Sequence, residues 1–186
     1  MKIGVYGGSF NPPHLGHVRA AQACKRALGL DCVLVIPASI PPHKQMASGS
    51  ATAMERLKLT QLAFSQLPGF EVLDMELRRE GKSYTVDTIR ALKEQYKQGE
   101  MYLMMGTDMF LSFASWREPE QIARLARIVC FARTAVDAAL KERLEAQAAR
   151  LRTEVGSEDM CGEAVLQQIE AQIAVVGADV GHAGPR

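Results

Sequence analysis

Two histidines lie three residues apart in a glycine-rich stretch near the start of the chain. His14 and His17 close the run from Gly7 to His17, which follows a short apolar segment and precedes a helical pattern. Positions three apart share one face of a helix, so both imidazoles are expected on the same side of the helix start. Glycine backbone and the N–H groups of a helix N-terminus bind anions well. The stretch therefore predicts a nucleoside triphosphate site.

Other motifs of this kind do not fit the stretch. Its glycines do not follow the G-x-G-x-x-G order and no Gly-Lys-Ser/Thr follows them, so neither the dinucleotide fingerprint nor a Walker A loop is present. Two imidazoles without a cysteine or carboxylate in the loop are a weak zinc site. A tight turn whose histidines only cap the helix is the structural alternative.

Apolar segments alternate with amphipathic ones along the chain. Strands are predicted at 2–6, 32–36, 70–73, 101–105 and 127–133, and helices at 15–28, after 50, after 83, at 109–113, at 118–125 and from 136 to 151. Ser83 is expected to cap the third helix. Continuous apolar strands separated by helices predict an α/β fold with a doubly wound parallel sheet. We expect a single domain over 1–186, with one further helix at 162–173.

Composition narrows the functional class. The chain of 186 residues is 47% hydrophobic and 23% charged, which is typical of a soluble globular protein, and its net charge of +1 disfavours nucleic acid as a partner. No apolar run is long enough to span a bilayer, and no long apolar signal region follows the first residue. The four cysteines have no paired spacing. We therefore expect reduced thiols, no membrane partner and a cytoplasmic protein.

The glycine-rich stretch also resembles a known signature. Its pattern Gly8-x-Phe10-Asn11-Pro12-x-His14-x-Gly16-His17 is similar to that of the nucleotidyltransferase superfamily, including the whole H-x-G-H motif. The resemblance implies a Rossmann-like, three-layer α/β/α fold that binds ATP together with Mg²⁺. It further implies that ATP is contacted by Gly8, Ser9, Phe10, His14 and His17.

Three further segments resemble bacterial nicotinate-nucleotide adenylyltransferases. Pro41-Pro42-His43-Lys44 is similar to their phosphate-binding loop, and Ser83-Tyr84-Thr85-x-Asp87-Thr88 is similar to their S-Y-T-x-D-T segment. Met105-Gly106-Thr107-Asp108, with Trp116 after it, is similar to their M-G-x-D…W block. The implied reaction joins ATP and nicotinate mononucleotide to give deamido-NAD and pyrophosphate.

The resemblance also implies a role for each matched residue. Lys44 would act with the two histidines in neutralising phosphate charge during catalysis and would bind the mononucleotide. Thr85 would bind the nicotinate carboxylate and Trp116 would stack on its ring. Gly106 and Asp108 would contact ribose, and Arg133 would lie near the adenine or the phosphates of ATP. The structural alternatives are a solvated surface lysine, a helix-capping threonine and a core tryptophan.

The chain departs from the family pattern at its C-terminal end. The family's I-S-S/A-T-x-I-R phosphate-binding motif does not occur in residues 150–186, so the region from about 155 is expected to be diverged or truncated. This departure leaves a catalytically impaired nucleotide-binding homologue as an alternative. Phosphopantetheine adenylyltransferase is another alternative, although that family usually has Thr at the position of His14 and lacks the Ser-Tyr-Thr segment.

Overall fold

Five parallel strands form one sheet at the centre of the computed structural model, which describes residues 1–41, 47–132 and 137–155. The strands lie in the order β3-β2-β1-β4-β5. Their bounds are β1 Lys2–Gly8, β2 Cys32–Pro37, β3 Phe70–Val72, β4 Glu100–Gly106 and β5 Arg127–Phe131. The order reverses between β1 and β4, which is the arrangement of a doubly wound sheet.

Helices cover both faces of this sheet. They are α1 Leu15–Leu28, α2 Ala53–Phe64, α3 Thr85–Gln95, α4 Thr107–Leu111, α5 Pro119–Leu125 and α6 Ala138–Val155, with one 3₁₀ turn at Phe113–Ser115. Buried side chains of α1 and α2 pack on one face, and those of α3, α4, α5 and α6 pack on the other. The predicted α/β fold with a Rossmann-like, three-layer arrangement is confirmed.

The strands alternate strictly between the two layers of the core. In β2, Leu34 and Ile36 face the layer of α3, whereas Val33 and Val35 face the layer of α1. The same alternation holds for β4 and β5. Because helices cover both faces of the sheet, the residues that face either side are apolar. Each strand therefore appears in the sequence as a continuous apolar run. This burial supplies the main stabilisation of the sheet.

Gly4 lets β1 approach its neighbours in the α1 layer. A Cβ atom at Gly4 would lie 2.8 Å from Leu30 Cδ1, 3.0 Å from Met104 Sδ and 3.1 Å from Val33 Cγ2. These three side chains are themselves buried, so they have little room to move. The absence of a side chain at this position is therefore a packing requirement.

Two local predictions are corrected. Ser83 does not cap α3, because the N-cap is Tyr84 and the Ser83 hydroxyl accepts a hydrogen bond from the Ser39 N–H at 3.0 Å. The short helix expected from residue 109 begins at Thr107, directly after β4. The helix predicted at 162–173 and the diverged region after 155 lie outside the described residues.

The cysteines of the described chain are thiols without a disulfide partner. Cys24, Cys32 and Cys130 are free, and burial raises the pKa of Cys24 and of Cys130 to about 12. Both of these thiols are therefore protonated at neutral pH.

Across residues 1–41, 47–132 and 137–155, no helix has the length and apolar character needed to cross a membrane.

We predict that Gly4→Ala lowers the free energy of unfolding by about 1–3 kcal/mol, because the added methyl group overpacks the α1 layer. Gly7→Ala is the matched control, since a Cβ at Gly7 meets no atom within 4 Å. Urea unfolding followed by circular dichroism gives both values. Equal unfolding midpoints for the two variants would show that the layer can accommodate the methyl group.

Candidate active site

The carboxyl ends of β1 and β4 separate from each other. Pairing between these strands ends at Val5 and Leu103, whereas β1 pairs with β2 as far as Gly8 and β4 pairs with β5 as far as Gly106. The separation lies where the strand order reverses, which is where open α/β sheets bind ligands. The glycine-rich loop after β1 and the segment of Asp108 after β4 therefore begin on the two sides of one crevice.

The two histidines form a reciprocal cap at the start of α1. His14 is the N-cap residue, and its Nδ1 accepts a hydrogen bond from the Gly16 N–H at 3.1 Å. The Nδ1 atom of His17 accepts a hydrogen bond from the His14 N–H at 3.2 Å. The ring centroids are 3.9 Å apart. This arrangement is a capping box in which imidazoles take the places of the usual hydroxyl and carboxylate.

The cap determines which ring nitrogen carries the proton. A ring nitrogen that accepts an N–H hydrogen bond is unprotonated, so each neutral imidazole carries its hydrogen on Nε2. The rings can therefore cap the helix through Nδ1 and donate to an anion through Nε2 at the same time. Helix capping, which was the alternative to anion binding, is present and is compatible with it.

Gly16 is required by the position of the His14 ring. A Cβ atom at Gly16 would lie 2.9 Å from both Cε1 and Nδ1 of His14. Any side chain at this position would push the His14 ring away from the Gly16 N–H, from which its Nδ1 accepts a hydrogen bond. This contact gives the glycine of the H-x-G-H motif a physical reason.

Phe10 anchors the glycine-rich loop from below. It adopts a left-handed backbone conformation with φ of +43°, and its side chain is 1% exposed. The ring packs edge-on against Tyr6 with centroids 5.4 Å apart and against His17 at 5.2 Å. Because the side chain is buried, the ATP contact expected of Phe10 would have to come from its backbone. Non-glycine residues with such a backbone conformation are common at ligand sites.

The opposite side of the crevice is formed by the end of β4. Gly106 is buried and is the N-cap residue of α4, and Asp108 is exposed in the first turn of that helix. Both residues therefore lie at the carboxyl edge of the sheet, as the sequence predicts. No group of three or more His, Cys, Asp or Glu side chains suited to a metal occurs within the described ranges.

Thr85 and Trp116 belong to two segments that contact each other. Thr85 is the first residue of α3 and is half-buried, and Trp116 follows the 3₁₀ turn and is also half-buried. The Trp116 ring packs on Phe113 with centroids 5.3 Å apart. The guanidinium of Arg117 lies 4.8 Å from the centre of the Tyr84 ring. The structure therefore brings the start of α3 close to the tryptophan loop (residues 116–118).

An ion pair strengthens this connection. Arg90 Nη2 of α3 lies 2.6 Å from Glu118 Oε2, and Glu118 precedes α5 in a left-handed conformation with φ of +52°. The pair is exposed on both sides, so its contribution to stability is small. The pair is a further contact between α3 and the residues that follow Trp116.

Arg56 is a functional candidate that the sequence interpretation missed. This residue of α2 is 2% exposed, and its Nη1 donates to the Ser9 carbonyl at 2.6 Å and to the Ala38 carbonyl at 2.7 Å. Its Nη2 donates to the Ser39 carbonyl at 2.9 Å. The available signal is helical spacing, because Arg56 lies one turn before the buried Thr60 on the inner face of α2.

Glu76 is a second buried charged group that the sequence interpretation missed. It is 6% exposed and accepts a hydrogen bond from the Thr88 hydroxyl at 2.7 Å. Burial raises the pKa of Glu76, and hydrogen bonds from Thr88 and Ser83 and the charge of Arg79 oppose this shift. Glu76 and Ser83 together connect the turn before α3 to the end of β2.

Two of the predicted site residues belong to segments outside the described part of the chain. Lys44 and Arg133 lie in 42–46 and 133–136, which are outside the described residues. The described chain resumes on either side of each segment. Pro41 precedes the first at the end of the Ala38–Pro41 connection, and Ala132 precedes the second directly after β5.

Comparisons with known proteins agree with this arrangement. The cytidylyltransferase-like family matches residues 5–160. A Geobacter sulfurreducens protein named "Probable nicotinate-nucleotide adenylyltransferase" is 45% identical over 139 residues, which cover 75% of this chain and 64% of that protein. A Shouchella clausii protein of the same name is 41% identical over 137 residues, covering 74% of this chain and 71% of that protein. The chain thus spans about two thirds of these relatives.

A solved structure shares the fold. The nicotinic acid mononucleotide adenylyltransferase of Plasmodium falciparum in complex with NaAD superposes with a TM-score of 0.61. The match covers 76% of this chain and 70% of that chain at 16% sequence identity. At this identity the likeness supports the three-layer architecture alone.

We predict that Gly16→Ala displaces the His14 ring and removes its Nδ1 contact. The net change in stability should be small, because the loss of the cap, about 1 kcal/mol, is offset by the higher helix propensity of Ala over Gly. Long-range ¹H–¹⁵N NMR of the imidazoles reports which nitrogen is protonated. The wild-type protein should show Nε2–H on both histidines, and the variant should lose this preference at His14. Leu15→Ala, at an exposed neighbour, should behave as wild type. An unchanged His14 tautomer in Gly16→Ala would contradict the steric argument.

A second prediction concerns Glu76. The pKa of Glu76 is higher in the folded protein than in the unfolded chain. The stability that Glu76 contributes is therefore fully present below its unfolded-state pKa, and it is lost as pH rises through its folded-state pKa. Over the pH range above about 4.3, the ordinary pKa of a glutamate, Glu76→Gln should therefore gain stability relative to wild type as pH rises. Chemical unfolding across this range measures the difference, with Glu94→Gln on the exposed side of α3 as the baseline. A difference that falls with pH would show that hydrogen bonding outweighs burial.

Proposed function

Since the chain belongs to the cytidylyltransferase-like family and, within it, to the nicotinate-nucleotide adenylyltransferases, we propose that it transfers the adenylyl group of ATP to nicotinate mononucleotide. The products would be deamido-NAD and pyrophosphate, so the reaction belongs to NAD biosynthesis. The observation that carries the proposal is the double histidine cap, which puts an imidazole Nε2–H donor on each of two adjacent rings at the carboxyl edge of the sheet.

The chemistry requires positioning and charge stabilisation. A phosphate oxygen of the mononucleotide would attack the α-phosphorus of ATP in line, and the bond to the pyrophosphate oxygen would break. No covalent enzyme intermediate is needed. His14 and His17 would donate from Nε2 to phosphate oxygens, with Lys44 as a further point charge, and so stabilise the charge that develops in the transition state. Gly8, Ser9 and Phe10 would contribute backbone groups of the loop.

Mg²⁺ would enter this site on the phosphates of ATP. Asp108, the one carboxylate among the predicted site residues, is assigned to ribose, and Mg²⁺ at nucleotide sites keeps several waters and binds substrate phosphates. This donor set therefore fits an ion delivered by the nucleotide. The ion would offset phosphate charge, while the histidines hold the phosphates in position.

The mononucleotide would occupy the space between α3 and the tryptophan loop. Thr85 lies in the first turn of α3, where backbone N–H groups favour a carboxylate, and Trp116 offers a flat aromatic face. Gly106 and Asp108 would contact ribose, and Arg133 would lie near the adenine or phosphates. The contact between Tyr84 and Arg117 supports this assignment, because it holds the two parts of this region together.

Pyrophosphate release in the presence of ATP, Mg²⁺ and nicotinate mononucleotide tests the proposal. We expect turnover with this acceptor and slower turnover with nicotinamide mononucleotide. Release only with phosphopantetheine would instead identify the alternative adenylyltransferase. Binding of the mononucleotide by calorimetry without any release would instead identify a binding homologue.

We predict that His14→Asn keeps the helix cap but lowers kcat by about 10²–10³-fold. The Asn side-chain oxygen can accept the hydrogen bond from the Gly16 N–H, as Nδ1 of His14 does in the wild-type protein. Asn has no donor at the position of Nε2, so the contact with phosphate would be lost. His14→Ala should lose both the cap and the activity. Thermal unfolding and pyrophosphate release measure the two effects separately. If His14→Asn were as active as wild type, capping would be the whole role of the residue.

A further inference from the structure

Arg56 joins two loops that are distant in sequence. Its guanidinium donates to Ser9 in the glycine-rich loop, 47 positions away, and to Ala38 and Ser39 at the end of β2, 18 and 17 positions away. The Ala38 N–H also donates to the Gly8 carbonyl at 2.8 Å. The loop before the histidine cap and the connection after β2 are therefore fixed to each other at several points.

Fold stability alone is a poor explanation for this residue. Within the described chain, Arg56 forms no ion pair, and its Nε has no hydrogen-bond partner. Burying a guanidinium against carbonyl groups costs free energy that an apolar side chain would avoid. The planar group nevertheless offers donors in two directions, which a lysine cannot match. The arrangement is suited to fixing the positions of several backbone groups.

Ser39 is held from its other side as well. Its N–H donates to the Ser83 hydroxyl at 3.0 Å, and Ser83 in turn interacts with the buried carboxylate of Glu76. The Ser83 N–H donates to the Ile40 carbonyl at 3.0 Å. Ser83 lies two positions before Thr85, so this second contact connects the end of β2 to the start of α3. Arg56 and Ser83 thus hold the backbone of one residue between them.

We propose that Arg56 is a positioning residue and that the chain Arg56–Ser39–Ser83 fixes the distance between the two substrate subsites. One end fixes the glycine-rich loop that leads to His14 and His17, and the other fixes the start of α3. This inference rests on the proposed function for its kinetic consequence, whereas its structural consequence can be measured without substrate. Arg56 acts through the backbone of Ser9 and Ser39.

Arg56→Lys is the variant that tests the proposal. It keeps the positive charge, but the lysine side chain ends one bond before the position of Nη1, which bridges the Ser9 and Ala38 carbonyls, and it has no second nitrogen for the Ser39 carbonyl. Leu57→Ala is the matched control, because Leu57 is the next residue of α2, is buried and touches neither loop through the contacts described. Ser83→Ala removes the hydroxyl that accepts from the Ser39 N–H and keeps the backbone bond from the Ser83 N–H to the Ile40 carbonyl. It therefore tests the Arg56–Ser39–Ser83 chain even if Arg56→Lys is poorly folded.

Hydrogen–deuterium exchange of the substrate-free protein is the first measurement. We expect Arg56→Lys to increase exchange in peptides covering 7–11 and 37–41, and Ser83→Ala to increase it in 37–41 alone. Leu57→Ala should change exchange in α2 without selecting these loops. Wild-type exchange in both peptides of Arg56→Lys, or the same pattern in Leu57→Ala, would overturn the proposal, whatever reaction the protein catalyses.

Steady-state kinetics is the second measurement. With an active wild-type protein, Arg56→Lys should lower kcat by about 10²-fold, as expected when reacting groups are misplaced. Ser83→Ala should mainly raise KM for the mononucleotide, and Leu57→Ala should keep wild-type kcat below its unfolding temperature. Unchanged kcat in Arg56→Lys would overturn the positioning role. A wild-type protein without turnover would refute the proposed function and leave the exchange result to decide this inference.

Discussion

The acceptance of two backbone N–H bonds by the Nδ1 atoms of His14 and His17 is the interaction on which the site depends. These bonds satisfy donors at the start of α1 that would otherwise lack a partner in the helix. They also fix the orientation and tautomer of both rings before any ligand arrives. A preorganised donor needs no rearrangement when charge develops on a phosphate, which is the condition for effective electrostatic stabilisation.

The rest of the fold can be understood as support for this cap. The parallel sheet brings all strand ends to one edge, and the early separation of β1 from β4 opens a crevice there. Phe10 fills the space beneath the loop, and Gly16 leaves space for the His14 ring. Arg56 then fixes the loop to the end of β2. The apolar packing of Phe10 and the buried hydrogen bonds of Arg56 thus both hold the backbone of the glycine-rich loop in place.

Much of the fold was predictable from the sequence because its signals are local. Continuous apolar runs indicated strands covered on both faces, and the histidine spacing indicated a shared helix face. Contacts between distant residues gave no such signal. Arg56 looks like an ordinary charged helix residue until its partners 47 and 18 positions away are known. Ser83 was assigned to its own helix for the same reason, although its partner Ser39 lies on another loop.

A crystal structure with Mg²⁺ and a non-hydrolysable ATP analogue is the most direct test of the central claim. The account predicts phosphate oxygens about 2.7–3.2 Å from Nε2 of His14 and of His17, while both Nδ1 atoms still accept backbone N–H bonds. Phosphates bound away from these two rings would contradict it. So would rings that turn on binding and face the phosphates with Nδ1, because the cap would then not prepare the site.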